Sequence, residues 1–290
     1  MKRARAEILS TRRLGAFHAL TLVAPEIAER ARPGQFLAIE MPVGRDFVLR
    51  RHASIHQASR RGGWAGTLEF VVEPRGAGTT WLATMKAHEF LDVIGPLGKG
   101  FAYPKKLTNC LLVAEGRSAA SLYFLAQELL VRHKRVDMVI GGETMETVFK
   151  PIEAKRLSQT VAVVTADGTL GDRGGVLDAM PEIVERASTE VVYAAGDAPT
   201  LQRIAAFCRT RNLPAQIMIE EPMACGFGLC YGCVVPVARS DGSGYDNLRA
   251  CVDGPVFNPA RVLWDRWHAE GPTMVPTPPE GLPVVRTWPG

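Results

Sequence analysis

No run of roughly 18 apolar residues occurs anywhere in this chain, so a membrane-spanning helix is not expected. The opening stretch, Met1 to Glu7, is basic but lacks an apolar segment of signal-peptide length, which leads us to expect a cytoplasmic protein. Dense Lys/Arg clusters interleaved with aromatics are also missing. The net charge of +4 is mild and spread along the sequence, so nucleic-acid binding has no support. Hydrophobic residues make up 47% and charged residues 22% of the 290, which suits a soluble globular chain of two domains and a small third. Cysteine is sparse, at six. Cys110 opens an apolar run and Cys208 sits in a helix-like segment. Both read as buried, reduced thiols packing as small hydrophobes.

The other four cysteines are concentrated near the C-terminus. Cys225, Cys230, Cys233 and Cys251 are spaced C-x4-C-x2-C-x17-C, the plant-type pattern for a [2Fe–2S] cluster. Gly226, Gly228 and Gly232 fill the gaps between the first three. A loop wrapped around a cluster must turn thiolates inward and aim backbone N–H groups at sulfur, and glycine allows the positive φ angles this takes. Zinc also accepts thiolates, but structural zinc usually takes tighter pairs separated by a longer stretch. The spacing predicts a cluster and electron transfer. Zinc is the alternative reading, with a disulfide framework behind it.

The first hundred residues read as short strands, with apolar runs at 19–24, 36–41, 68–72 and 91–94. Turn signals at Pro33-Gly34 and Gly62-Gly63 separate them, and the spacing suggests a small antiparallel barrel. Near Pro104 the pattern changes to strand–helix alternation. Runs at 110–114, 136–140, 161–165 and 191–195 are each followed by a helix-like segment, at 118–133, 144–154, 174–186 and 199–212. This implies a parallel sheet with crossover helices. A further strand at 216–219 leads into the cysteine segment. The expected domains are a barrel over 1–103, an α/β domain over 104–215, a cluster domain over 216–265 and a proline-rich arm over 266–290. That arm reads equally as an extended segment and as disorder.

A barrel followed by a parallel α/β domain resembles the ferredoxin–NAD(P)H reductase arrangement, in which the barrel holds a flavin. Arg51 and Ser54, in a segment (Leu49–Ile55) read as the end of a barrel strand, are the candidates for the flavin diphosphate and ring. A guanidinium fork suits phosphate oxygens. An exposed basic strand end explains the same residues. Gly76-Ala77-Gly78-Thr79-Thr80 offers free N–H groups at a helix start, although an ordinary Thr-capped turn would look alike. Gly95 to Phe101 reads as a domain linker, with Phe101 a core residue or a neighbour of the flavin.

The resemblance becomes specific at Glu221 to Val235, which is similar to the cluster loop of the electron-transfer subunit of dihydroorotate dehydrogenase B. Cys251 to Phe257 resembles that family's fourth-cysteine segment, and Gly95 to Phe101 its G-P-L-G-x-G-F element. Thr165 to Gly174 resembles its T-x-D-G-S-x-G-x-x-G stretch. The likeness covers about residues 5–265. It implies a pyrimidine-biosynthetic, ferredoxin-reductase-like subunit carrying FAD and a [2Fe–2S] cluster. Its partner in a hetero-oligomer would be a catalytic subunit that oxidises dihydroorotate at FMN. By position, Arg51, His52, Ala53, Ser54, Val71, Val72, Glu73, Gly78 and Thr79 would line the FAD, and Cys225, Cys230, Cys233 and Cys251 would hold the cluster.

Three departures stand beside this likeness. The family's G-G-G-x-G turn is Ala114-Glu115-Gly116-Arg117-Ser118 here, which puts the Glu115 carboxylate beside the place where the backbone should approach a pyrophosphate, unfavourably unless Arg117 compensates it. The Cys-Gly-Pro expected near the nicotinamide is Ala195-Gly196-Asp197. His52 and Ala53 replace a proline and a bulkier residue, and His52 reads as a flavin-tuning group or an incidental imidazole. FAD and cluster are therefore expected, while NAD(P) use is left open. A paralogous reductase serving an oxygenase, a ferredoxin or another oxidoreductase is the competing function, and a subunit that has lost a cofactor is a third.

Overall fold

The computed structural model describes residues 1–42, 47–60, 62–103 and 105–268. The expected boundary residue Pro104 and most of the proline-rich arm, residues 269–290, lie outside them.

Six antiparallel strands close into a barrel: β1 (Lys2–Leu14), β2 (Phe17–Val23), β3 (Phe36–Ile39), β4 (Arg51–Ser59), β5 (Thr67–Val72) and β6 (Phe90–Leu97). Their order around the barrel is β1-β2-β5-β4-β3-β6. Closure leaves no free edge. Ile8, Leu20, Leu37, Ile55, Phe70 and Val93 fill the interior, all fully buried. β1 was not legible as a strand. Only Ala6 and Ile8 are buried on it, between charged residues. Pairing with both β2 and β6 holds it in place. The segment 49–55 does not end a strand, since β4 begins at Arg51 and carries on to Ser59. Arg51 therefore stands at the mouth of the barrel.

Two short helices attach to the barrel, α1 (Pro25–Ala28) and α2 (Ala77–Thr84). The second domain alternates β7 (Asn109–Glu115), α3 (Ala119–Val131), β8 (Arg135–Gly142), α4 (Pro151–Leu157), β9 (Thr160–Thr165), β10 (Asp172–Arg173), α5 (Val176–Arg186), β11 (Val191–Gly196), α6 (Ala198–Thr210) and β12 (Ala215–Ile219). The sheet runs β10-β9-β8-β7-β11-β12, parallel throughout. The helix expected over 144–154 is broken. A 3-10 turn at Met145–Thr147 comes first, and α4 starts only at Pro151. Proline lacks the N–H that would continue a helix through it, and Lys150 before it sits at φ 42°. Helices α3 and α4 cover one face of the sheet with the barrel, and α5 and α6 cover the other. The chain thus reverses its winding between β7 and β11, where open α/β sheets form their ligand crevice.

The cysteine segment adds a hairpin, β13 (Val234–Ala238) with β14 (Tyr245–Arg249), and a short strand, β15 (Val256–Phe257). The latter pairs antiparallel with β12. Helix α7 (Trp264–His268) packs beside β13. No described helix is long and apolar enough to cross a membrane. Cys110 and Cys208 are buried free thiols, pushed up by burial to about 11 and about 12.

Candidate functional site

The four cysteines come together from one loop and the turn after β14. They form two pairs. The Cys230 thiol donates toward the Cys225 sulfur, and the Cys251 thiol donates toward Cys233. Among the described residues, no three His, Cys, Asp or Glu side chains gather on a single-ion position. Paired thiols suit two irons that take two thiolates each, rather than one tetrahedral ion.

The loop around them is a cage of amides. Phe227 and Leu229 each donate N–H to the Cys225 sulfur at 3.4 Å, and Gly232 donates to Cys230 at 3.4 Å. Gly226 and Gly228 adopt φ of 77° and 79°, left-handed turns that aim the following residue's N–H at sulfur. Gly226 is thus a hinge for the Phe227 donor and gives no bond to sulfur itself, whereas Gly228 donates toward Cys251. Burial raises the Cys225 thiol, but the amides of Phe227, Cys230 and Leu229, with the Cys230 thiol, outweigh it and bring it to about 6. The cage therefore stabilises negative sulfur, as a thiolate ligand needs. Cys251 is pushed the other way, to about 12, by burial and the adjacent Cys233. Arg249 was missed by sequence reasoning. It bonds to Asp253 at 3.2 Å and to the Gly228 carbonyl at 3.1 Å, and lies over the Tyr231 ring, pinning the loop to the fourth-cysteine turn. Its place two residues before Cys251 was the only signal.

At the barrel mouth, Arg51 lies across the first turn of α2. A Cβ on Gly78 would come within 2.5 Å of the Arg51 Nε, so only glycine lets the guanidinium close over this helix start. A cation above the first amides of an eight-residue helix is a cradle fit for a diphosphate. Thr79 does not point a free hydroxyl at a ligand. Its Oγ accepts the amides of Arg75 and Gly76 and shapes the turn instead. Glu73 is engaged by Arg75 at 2.9 Å. Val71 and Val72 are both buried, Val71 toward the α/β domain and Val72 in the barrel core.

Beside the cradle a cavity of about 270 Å³ is lined by Phe36, His52, Ala53 and Ser54 from the barrel and by Met218 to Met223, from the end of β12 onward. The same strand that sends Arg51 to the cradle thus sends His52 to Ser54 to this cavity. His52 meets the cluster loop directly. Its Nε2 is buried without a hydrogen-bond partner, and a Cβ on Gly226 would collide with it. Burial holds the imidazole below its ordinary value, only partly offset by the nearby Cys225 and Met223 carbonyls. The cavity and the cysteine loop share this one wall.

Two further elements resolve as packing. Phe101 is buried and stands edge-on to Tyr193 at 5.6 Å, so it is a core residue. The Thr165 to Gly174 stretch bonds to itself: Thr165 Oγ donates to the Leu170 carbonyl at 2.9 Å, and Asp167 accepts from the Thr169 amide at 3.0 Å.

A barrel whose mouth faces both a parallel sheet and a loop of paired thiols defines a class, the ferredoxin-reductase-like electron-transfer proteins. Solved structures agree on the fold. The chain is similar, at TM-score 0.77 and 26% identity over 91% of both chains, to a structure described under flavin-based electron bifurcation by an NADH-dependent reduced ferredoxin–NADP oxidoreductase. It also resembles the ferredoxin reductase in carbazole 1,9a-dioxygenase, at TM-score 0.63 and 20% identity over 76% of this chain and 69% of that one. The model of the iron–sulfur cluster binding domain of dihydroorotate dehydrogenase B matches residues 220–263. The electron transfer subunit of dihydroorotate dehydrogenase B (NAD(+)) from Desulforamulus reducens is 33% identical over 83% of this chain and 90% of its own. The same subunit from Geobacillus kaustophilus is 35% identical over 84% and 91%. The chain belongs to the family of dihydroorotate dehydrogenase B electron transfer subunits.

Proposed function

We propose that this chain is the electron-transfer subunit of a dihydroorotate-oxidising complex, carrying FAD at the barrel mouth and a [2Fe–2S] cluster on the four cysteines. The carrying observation is the shared wall of the two sites, where His52 of the flavin-side cavity abuts Gly226 of the cluster loop. Bound FAD and cluster would supply the redox chemistry, in pairs of electrons at the flavin and singly at the cluster. The chain's own residues bind and orient. Arg51 and the start of α2 hold the diphosphate, and His52, Ala53 and Ser54 border the ring cavity. The amides of Phe227, Leu229 and Gly232 set the charge on sulfur.

Around the exposed Cys230 lie Leu229, Tyr231 and Val252, three large side chains open to solvent. An apolar collar beside a redox group supports docking of the catalytic, FMN-bearing partner there. The buried free thiols Cys110 and Cys208 accord with a reducing, cytoplasmic setting. Anaerobic pull-down from native cells tests the assignment. A dihydroorotate-oxidising flavoenzyme should co-purify, with iron, sulfide and FAD in the ratio a single [2Fe–2S] centre requires. An oxygenase or ferredoxin partner in its place would favour the competing reductase function.

The diphosphate cradle makes its own prediction. Losing a charge-assisted bond of about 1.5–3 kcal/mol should weaken FAD roughly 10- to 100-fold in Arg51→Ala. Gly78→Val should act likewise by displacing the guanidinium. Flavin absorbance retained after gel filtration reads both, and undiminished FAD in either variant would place the diphosphate elsewhere.

A further inference from the structure

The crevice where the sheet reverses its winding, between the carboxyl ends of β7 and β11, is where a fold of this kind takes a dinucleotide. Its pyrophosphate needs a loop whose amides are free, a helix start without a resident anion, and room for the backbone to approach. Space remains beside Gly116, but the turn and the helix starts around the crevice are compromised. Gly116-Arg117-Ser118 is wound into a 3-10 turn running straight into α3, and the Ala119 amide is spent on the carbonyls of that turn.

The crevice already holds an anion. Glu115, the last residue of β7, sends its carboxylate across the crevice to the helices of the opposite face. One oxygen accepts the Val176 amide at the start of α5 at 3.1 Å, and the other faces the Thr200 hydroxyl in the first turn of α6 at 3.5 Å. The neighbouring amides are also engaged. Gly175 donates to Asp178 at 2.8 Å, and Thr200 donates to Asp197 at 2.9 Å. Asp197 stands where the resemblance expects a proline near the nicotinamide, so two carboxylates face the start of α6.

Arg117 is the obvious cation to answer a phosphate, but it is bound to Glu220. That pair ties the first βα turn to the segment after β12 and forms part of the lining of the flavin-side cavity. Carboxylates at helix starts are favourable where they are. They are repulsive to a second anion brought into the same low-dielectric space.

We infer that Glu115 is a specificity-determining residue that bars pyridine dinucleotides from this crevice, by setting the chain's own carboxylate in the space their pyrophosphate would enter. The inference deepens the function proposed above by excluding one class of electron acceptor. It rests on that reading for the place of the crevice, and on neither cofactor for its test.

Equilibrium binding of ADP-ribose and of NADH to the anaerobically purified holoprotein, by calorimetry, decides it. The wild type should show no saturable binding below about 1 mM. Glu115→Gln keeps the shape and the acceptor for Val176 while removing the charge, and should bind ADP-ribose about tenfold more tightly than the wild type. Glu115→Gly also frees the space and should gain about 100-fold. FAD absorbance and iron content equal to the wild type certify each variant as folded, and the isosteric Gln variant covers a collapse of the Gly one. Micromolar binding by the wild type overturns the inference, as does failure of the folded Gln variant to gain. A wild type lacking FAD or iron would sink the proposed function, while the ADP-ribose measurement would still stand.

Discussion

Cys225→Ser is expected to strip the cluster while leaving the flavin in place. A serine hydroxyl stays protonated at neutral pH and is a poor match for the thiolate chemistry that iron–sulfur clusters use. Cys225 is the cysteine whose sulfur takes the Phe227 and Leu229 amides, and a neutral hydroxyl in its place gives those donors no thiolate charge to stabilise. Iron and acid-labile sulfide should fall to background in the anaerobically purified variant. The Arg51 cradle draws on β4 and α2 alone, so FAD should remain. Cys208→Ser is the matched control, since that thiol lies buried on α6, away from the loop, and iron should be retained. Full iron in Cys225→Ser would refute the ligand assignment. Zinc in place of iron in the wild type would refute the cluster.

The second large effect is a loss of stability between about pH 6.5 and pH 4, centred on His56. This imidazole is fully buried where the barrel meets α3 and α4. Its Nδ1 lies 2.6 Å from the Ala120 carbonyl and its Nε2 lies 3.0 Å from the Lys150 ammonium. A carbonyl on one side and an ammonium on the other assign the neutral tautomer with hydrogen on Nδ1. Burial, then the Lys150 charge, depress the imidazole from 6.5 to about 4. Between those two values the ring is neutral in the folded state and protonated in the unfolded one. Its stabilisation is complete above 6.5, where the unfolded chain also holds no proton on the ring. It is lost as pH falls toward 4, because the unfolded chain takes up the proton first. The span is worth about 3 kcal/mol.

Glu69 works in the same direction at lower pH. It is buried, and the Lys150 and Arg12 charges hold it below the usual carboxylate range although burial opposes them. One oxygen accepts from Arg12 at 2.5 Å and from Thr21 at 2.9 Å, while the other faces Lys150 at 3.7 Å. Denaturant midpoints measured from pH 7 to pH 4 should fall steeply in the wild type and less in His56→Gln. Lys150→Met should lose about 1–3 kcal/mol at pH 7, because it removes the cation facing the buried Glu69 Oε1 and leaves the carboxylate to Arg12 and Thr21. The same variant should flatten the slope by releasing His56 from the adjacent charge. Equal slopes in all three proteins would remove His56 from the account.

This network shows where legibility stopped. His56, Glu69 and Lys150 are far apart in sequence, and no local pattern distinguishes them from surface polar residues. Their importance comes from closure of the barrel against α3, which withdraws all three from water together. Strand β1 was hidden for a related reason. A barrel strand with a solvated outer face needs few apolar residues, and Lys2 to Leu14 supplies mostly small or charged ones. The interruption before Pro151 was readable in principle from the proline alone. Arg117, the partner the sequence offered, is bound to Glu220 instead, although Glu115 was visible as an anomaly in a glycine turn. Its partner, the Val176 amide, is 61 residues away and is brought close only by the crossover of the sheet.

The sequence by itself determined the chemistry of this protein. Four thiols at fixed spacing with glycines between them select a cluster, because ligand identity and loop geometry are local properties. Alternation of short strands, then of strands with helices, determined barrel and parallel sheet for the same reason: each period reflects one face buried at a time. Tertiary structure alone decided how the sites relate. It set His52 against the cluster loop, closed Arg51 over Gly78, and turned Glu115 toward two helix starts. Those relations depend on which distant segments share a volume, and that is settled by packing, which no local spacing encodes.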